Sequence, residues 1–299
     1  MSTNYAAGLS EYENKGKCGL PEVEESDAIV SSKLTQLVAW IRDCAHLVVF
    51  TGAGVSTSAG IPDFRGPNGV WTLEKEGRTV SGASVGFGEA LPTPTHMALV
   101  ALEEVGILKF LVTQNVDGLH MRSGFPRDRM AELHGNMFLE SCSNCNKETV
   151  RDEPVPTVGL RFTGNPCTQL KAGQRPCRGR LRDTVLDWED ALPDWHLSMA
   201  DHHSKLADVC LCLGTTLQIV PAGNMPLAVK KKAQGKLVIV NLQETKHHKR
   251  ADLVIRARVD EQEDEAVDFE HRSTIEKHVF SAVVLKLEQI LKKDAVRSW

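Results

Sequence analysis

No apolar run in this 299-residue chain approaches the roughly 18 residues that a membrane-spanning helix needs. The polar, mixed-charge stretch Met1 to Ser26 has no apolar centre, so a secretory signal is not expected. An excess of one charge is also missing. Lys and Arg number 35 and Asp and Glu 39, a net charge of −4. That argues against a strongly basic nucleic-acid binder and leaves room only for local patches. The triplet Lys230–Lys232 reads as a solvated helix end. There is no internal repeat. The eight cysteines do not form a secreted disulfide framework: Cys18, Cys44, Cys210 and Cys212 stand apart, and four others fall between 142 and 177. A reducing compartment fits that distribution. The length predicts one large domain, or one large and one small, able to bury a core without staples.

Four short apolar runs organise the chain: Leu47–Phe50, Leu108–Val112, Val209–Leu213 and Leu237–Val240. Each gives way to small or amide residues: Thr51-Gly52-Ala53-Gly54, Thr113-Gln114-Asn115-Val116-Asp117, Gly214-Thr215-Thr216 and Asn241-Leu242-Gln243. Helical spacing is found at 31–44, through Leu34, Leu37, Val38 and Ile41, and again at 95–105 and 224–233. Continuous apolar strands alternating with helices predict a Rossmann-like, doubly wound parallel α/β sheet. Ligands of such sheets bind beyond the carboxyl ends of the strands, so four turns converge on one expected crevice. Residues 1–30 read as an irregular N-terminal arm. Past Val259 come an acidic run and then the spacing of an amphipathic helix through Ile275, Val279, Val283, Leu287 and Leu291.

About 138–182 the alternation breaks, and the predicted reading is a small inserted module. Cys142 and Cys145 form a C-x-x-C knuckle, while Cys167 and Cys177 are separated by nine residues, wider than a generic zinc ribbon. No other Cys or His lies between Cys145 and His196, so these four alone can close a tetrahedral zinc site. A site closed by four thiolates is structural. The alternative is a redox pair or incidental thiols.

The turn Phe50-Thr51-Gly52-Ala53-Gly54 invites a dinucleotide fingerprint but departs from it. Thr57 stands where the third glycine belongs, and no strand-end acid follows about 20 residues on. Paired glycines after a strand still let the backbone approach a phosphate. Ser56 to Gly66 continue as a small-residue loop ending in Phe64 and Arg65, and Leu133-His134-Gly135-Asn136 sets a histidine just before the cysteine module. Taken alone, such a histidine is more often a satisfied structural residue than a functional one.

Together these segments resemble the sirtuins: Gly52-Ala53-Gly54-Val55-Ser56, Ile61-Pro62-Asp63-Phe64-Arg65, Gln114-Asn115-Val116-Asp117, Leu133-His134-Gly135-Asn136, the four cysteines, Gly214-Thr215-Thr216 and Val240-Asn241-Leu242-Gln243, in the family's order over about 45–260. Segments at 4–21, 66–71, 122–127 and 187–190 are similar to the subclass of the sixth mammalian sirtuin. The resemblance implies an NAD-dependent protein-lysine deacylase that releases nicotinamide and transfers the acyl group to ADP-ribose. His134 matches the family's general base, and Asn115, Asp117 and Ser56 match further catalytic positions. Ala53, Thr57, Asp63, Phe64, Arg65, Trp71, Gln114, Gly214, Thr215, Thr216, Asn241, Gln243 and Val259, with His134 again, match contacts to NAD, and Trp188 matches the acyl-peptide cleft. One structural zinc on Cys142, Cys145, Cys167 and Cys177 is implied as well. Histones as substrates, a nuclear location and contact with chromatin or DNA are further expectations, and no membrane association is expected.

Three departures qualify the match, the first being that residues 22–30 lack the subclass's usual Pro-rich stretch. Thr216 stands where the subclass has serine, which keeps the hydroxyl. An acidic run and helix pattern stand where the subclass has its long, Pro-rich basic C-terminal tail, which puts tail-dependent attachment to chromatin and nucleic acid in doubt. Rival readings are mono-ADP-ribosyl transfer to protein, a chromatin-binding scaffold with weak catalysis, and a dehydrogenase, the last disfavoured by Thr57.

Overall fold

Residues 2–79 and 85–260 are described by the structure, a computed structural model. The acidic run and amphipathic pattern beyond Asp260 lie outside the described residues.

Among the described residues, ten strands form two sheets. The large sheet holds β1 (Leu47–Thr51), β2 (Leu108–Thr113), β3 (Met130–Glu132), β8 (Val209–Leu213), β9 (Lys236–Val240) and β10 (Leu253–Ile255), in the order β10-β9-β8-β1-β2-β3. Every pairing in it is parallel. Counted along the chain within this sheet, the order is 3-2-1-4-5-6, which is the doubly wound Rossmann arrangement. The small sheet, order β5-β4-β7-β6, is antiparallel and consists of β4 (Leu139–Cys142), β5 (Glu148–Val150), β6 (Phe162–Pro166) and β7 (Arg180–Asp183).

The sequence of β1, Leu-Val-Val-Phe-Thr, is buried at all five positions because the sheet is covered on both faces. Successive side chains point to opposite faces. Leu47 and Val49 pack with helices α2 (Asp27–Asp43) and α4 (Pro94–Glu104), through Leu37, Ile41 and Leu99. Val48 and Phe50 pack on the other face with Ala200 of α6 (Asp194–Leu206) and Val229 of the 3₁₀ segment Ala222–Lys231. Helix α2 buries Val30, Leu34, Leu37, Val38 and Ile41, a stripe at spacings of three and four residues. Helix α4 begins with a capping box from Thr93 and a proline in its first turn.

The four strands read from sequence are present, each within a residue of its expected bounds. Helix α2 starts at Asp27 rather than 31, and the stretch 224–233 is 3₁₀ in form, over Ala222–Lys231. The N-terminal arm is not wholly irregular: it holds helix α1 (Ser2–Gly8), and Glu22 bridges to Gln243. Two short helices, α3 (Val70–Lys75) and α5 (Leu119–Arg122), complete the set used below. No described helix is long and apolar enough to cross a membrane.

Candidate active site and cysteine centre

A cleft of about 850 Å³ opens at the carboxyl ends of the large sheet. It lies over the point where the strand order reverses between β1 and β8, the usual ligand position of such folds. The turns after β1, β2, β8 and β9 all line it. The β1 and β8 turns touch backbone to backbone. A Cβ on Gly52 would lie 2.7 Å from Cβ of Thr215, and one on Gly54 would lie 2.7 Å from Cα of Gly214. Gly214 itself has φ +55°. Side chains at these positions would push the two turns apart, which accounts for the glycines without any appeal to a ligand.

The polar groups of the cleft are tied together. Gln114 donates through Nε2 to Thr215 Oγ1 at 3.1 Å. Asn115 Nδ2 donates to the Gly52 carbonyl at 3.0 Å and reaches Ser56 Oγ at 3.4 Å. Ser56 Oγ donates to Asp117 Oδ2 at 2.7 Å, and the Leu119 N–H donates to Asp117 Oδ1 at 2.9 Å. Burial pushes the Asp117 carboxyl up, against the pull of these two hydrogen bonds.

His134 sits on the turn after β3 and lines the cleft. Its Nδ1 is 3.0 Å from the Gln114 carbonyl oxygen. A carbonyl only accepts, so Nδ1 carries the proton of the neutral ring and Nε2 keeps its lone pair. Burial lowers the imidazole's affinity for protons, the Gln114 carbonyl partly opposes this, and the nearby Arg65 charge adds to the lowering. The turn is fixed from behind. Leu186 N–H donates to the His134 carbonyl, Asn136 Nδ2 donates to Glu132, and Gly135, at φ +84°, leaves no room for a Cβ beside the Thr184 carbonyl.

Arg65 is a half-buried cation of the cleft. Its Nε donates to the Lys15 carbonyl at 2.8 Å, and its guanidinium carbon lies 4.6 Å from the ring centre of Trp71. Nη2 is buried with no hydrogen-bond partner among the described residues. Burial pulls the guanidinium down to about 10. A buried donor left unsatisfied costs about 1–3 kcal/mol, more when charged, so the arrangement suits an anionic ligand such as a diphosphate. The aromatic wall runs Phe64–Trp71–Trp188, with ring centres 4.5 and 5.0 Å apart. Tyr12 of the N-terminal arm stacks on Trp188 at 4.7 Å.

Of the residues expected from sequence, Ala53, Thr57, Asp63, Phe64, Arg65, Trp71, Gln114, Asn115, Asp117, His134, Trp188, Gly214, Thr215, Thr216, Asn241, Gln243 and Val259 line this cleft. Ser56 does not. It is fully buried behind the wall, and its contact is with Asp117. Sequence reasoning missed Tyr5, Leu9 and Gln218, which also line the cleft. Tyr5 and Leu9 belong to an arm with no periodicity to read, and Gln218 lies just beyond a turn already singled out.

The cysteine centre stands apart, in the small sheet. The four sulfurs of Cys142, Cys145, Cys167 and Cys177 all lie within 4.8 Å of one another. Cys142 Sγ is 3.7 Å from Cys177 Sγ, and Cys145 Sγ is 3.8 Å from Cys167 Sγ. A tetrahedral zinc with bonds of about 2.3 Å spaces its sulfurs about 3.8 Å apart, so the donor set fits zinc. The N–H of Asn144 points at Cys142 Sγ at 3.3 Å, a donor placed to stabilise a thiolate. The wide second pair is accommodated by a loop with an isolated Leu170–Pro176 bridge and left-handed Gln174 and Arg178.

The Sir2 family pattern matches residues 78–221. The NAD-dependent protein deacetylase SRT1 of Oryza sativa subsp. indica is 52% identical over 260 residues, covering 87% of this chain and 53% of that protein. The NAD-dependent protein deacetylase Sirt6 of Drosophila melanogaster is 50% identical over 262 residues, covering 87% of this chain and 82% of that one. The chain thus spans about half the length of the rice relative, and likewise of its Arabidopsis thaliana counterpart. A solved Sir2 homologue–NAD complex matches with a TM-score of 0.61 at 27% identity, over 86% of this chain and 94% of that one. At 50% identity over 82% of the Drosophila relative, and with the Sir2 pattern inside it, the chain belongs to the Sir2 family, the sirtuins.

Proposed function

We propose that this chain is an NAD-dependent protein-lysine deacylase. The observation that carries the reading is His134, in a cleft at the sheet's switch point, with Nδ1 committed to the Gln114 carbonyl and Nε2 left as a base. NAD, when bound, supplies the ADP-ribose that accepts the acyl group, with nicotinamide as the leaving group. The chain's own parts in that chemistry are separable. His134 takes a proton at Nε2, and its lowered basicity keeps it neutral at pH 7. Asn115 and Asp117 present their side chains to the same region, and Ser56 holds Asp117 from behind. Arg65 offers its free Nη2 to an anionic group. Gln114, Thr215, Thr216, Asn241, Gln243 and Val259, with Phe64 and Trp71, line the same cleft as the cofactor's contacts, and Trp188 is assigned to the acyl-lysine.

Relatives named as NAD-dependent protein deacetylases support the reading, as does a Sir2 structure with a deacetylated p53 peptide and 3′-O-acetyl ADP-ribose, matched at 28% identity and a TM-score of 0.57 over 75% of this chain. The zinc is proposed as structural, since all four positions of its site are taken by cysteine. Histone tails as substrate, a nuclear location and contact with chromatin or DNA form the finer reading, supported by the likeness of segments 4–21 and 66–71 to the sixth-sirtuin subclass. Mass spectrometry of reactions with NAD and acetyl-lysine histone peptides tests the proposal. Free lysine with O-acyl-ADP-ribose is expected. Protein-linked ADP-ribose without deacylated peptide would instead establish the transferase reading.

A further inference from the structure

The half-buried cation of the cleft is held by a segment distant in sequence. Besides the Nε bond to the Lys15 carbonyl, the main chain of Arg65 is engaged. Its carbonyl accepts from the Gly19 N–H at 3.0 Å and from Gln243 Nε2 at 3.2 Å. The same Nε2 donates to the Leu20 carbonyl at 2.6 Å. The segment 15–20 therefore grips Arg65 on one edge and leaves Nη2 as its free, buried edge.

The segment is in turn pinned by one side chain. Gln218 Oε1 accepts the Lys17 N–H at 2.7 Å, and Gln218 Nε2 donates to the Lys17 carbonyl at 3.0 Å. This two-point pairing of a side-chain amide with a backbone residue fixes both the position and the rotation of the segment. Gly16, between Lys17 and the Lys15 carbonyl, has φ +80°. A Cβ there would lie 2.5 Å from Gln218 Oε1 and 3.4 Å from Arg65 Nε. Any side chain at 16 would wedge apart the two contacts that the segment joins. Gln218 itself follows the β8 turn, so the clamp is anchored to the sheet's switch point.

We infer that Gln218 is a positioning residue for the anionic ligand, acting through Lys17 and the Lys15 carbonyl to aim the free edge of Arg65 into the cleft. The inference rests on reading the cleft as an ADP-ribose site. An arginine without the clamp loses the fixed geometry on which a charge-assisted contact depends, and must pay side-chain entropy when the ligand arrives.

Titration calorimetry with ADP-ribose on the full zinc-loaded chain tests it through a double-mutant cycle. Gln218→Met keeps the length of the side chain and removes both hydrogen bonds. It should weaken binding about tenfold, the scale of one hydrogen bond to a charged group. Arg65→Ala should weaken binding at least as much, and the double variant should bind no more weakly than Arg65→Ala alone. Unchanged affinity in Gln218→Met, or losses that add, would overturn the clamp, because a residue touching the ligand directly would give additive losses. Should Gln218→Met lose its zinc or melt early, the same cycle with Gly16→Ala decides, with the same non-additivity expected. A wild-type chain that does not bind ADP-ribose defeats the reading of the cleft and this inference with it. Wild-type binding with additive cycles removes only the clamp.

Discussion

The large parallel sheet and the small cysteine sheet solve the same problem with different materials. In the large sheet, β1 and β8 are buried at every position, and apolar side chains fill both faces. In the small sheet, β5 and β6 are exposed or half-buried throughout, and the buried cluster is Cys142, Cys167, Cys177 and Leu181. One region is held by apolar area removed from water. The other has an apolar layer only where it meets the large domain, through Phe138, Val155, Val158 and Val185, and its far end has little besides the sulfurs and Leu181, so cohesion there rests on what the sulfurs bind. The contrast also divides the labour, since the groups proposed to react sit on the large sheet's turns and none of the four clustered cysteines lines the cleft.

The largest effect that could break this contrast is removal of a sulfur ligand. Structural zinc contributes on the order of 10 kcal/mol or more of apparent folding energy in small metal-held modules. Cys177→Ser should therefore release the metal and unfold the small sheet. A one-to-one loss of zinc by elemental analysis, with new protease cuts between 139 and 183, is the expected result. A variant that stays soluble, uncut and loaded with metal would show that the small sheet has a core of its own.

Next in size is a change confined to the cleft. His134→Tyr removes the base while leaving Cys142, Cys145, Cys167 and Cys177 untouched. A general base contributes roughly 10²–10⁴-fold, so deacylation should fall by at least 100-fold with zinc content and melting temperature unchanged. In the wild type, turnover should fall with acid through a pKa below the ordinary histidine value of about 6.5, because burial keeps His134 neutral until lower pH. Near-normal turnover in the variant would remove His134 from the chemistry.

Phe50→Ala probes the apolar side of the contrast. Phe50 is 1% exposed and packs between β1 and the α6 face. Its truncation should cost about 3–5 kcal/mol in urea unfolding, without releasing zinc. Zinc lost in step with unfolding of the large sheet would mean that the two regions are one cooperative unit.

The same division explains what the sequence made legible. The four long strands could be read because burial on both faces writes a continuous apolar run. Strands β3 and β10 have three residues each, too short to carry a pattern. Helix α6 has only Ala200 and Ser204 fully buried, so no apolar stripe marks it. The small sheet was visible only as a break in periodicity, and its cysteines, not its strands, announced it. In the cleft, turn residues were legible because motif and strand end coincide. Gln218, Tyr5 and Leu9 were not, because their roles come from the arm folding back over the cleft, a long-range contact that no local pattern encodes. Ser56 had the motif's signature, and the fold places it one layer behind.

The smallest effect separates the two regions by their response to acid. His96 and His120 are buried in the large domain, with ring centres 4.5 Å apart. His96 Nδ1 accepts the Thr93 N–H, and His120 Nε2 pairs with Thr51 Oγ1 at 2.9 Å beneath the β1 turn. Burial depresses His96 to about 3 and His120 well below its ordinary value. A histidine whose folded pKa is depressed contributes stability that is present above its unfolded value of about 6.5 and is lost as pH falls below it. At 1.36 kcal/mol per unit, His96 should cost the large domain roughly 2 kcal/mol between pH 6.5 and 5. Urea midpoints followed by far-UV circular dichroism should fall over that window, and His96→Gln should flatten the slope, since glutamine does not titrate. The cysteine centre also weakens in acid, but through protonation of its sulfurs, which a zinc-release indicator reads separately. If His96→Gln leaves the slope unchanged while zinc release tracks it, the acid sensitivity belongs to the small sheet and His96 does not contribute to it.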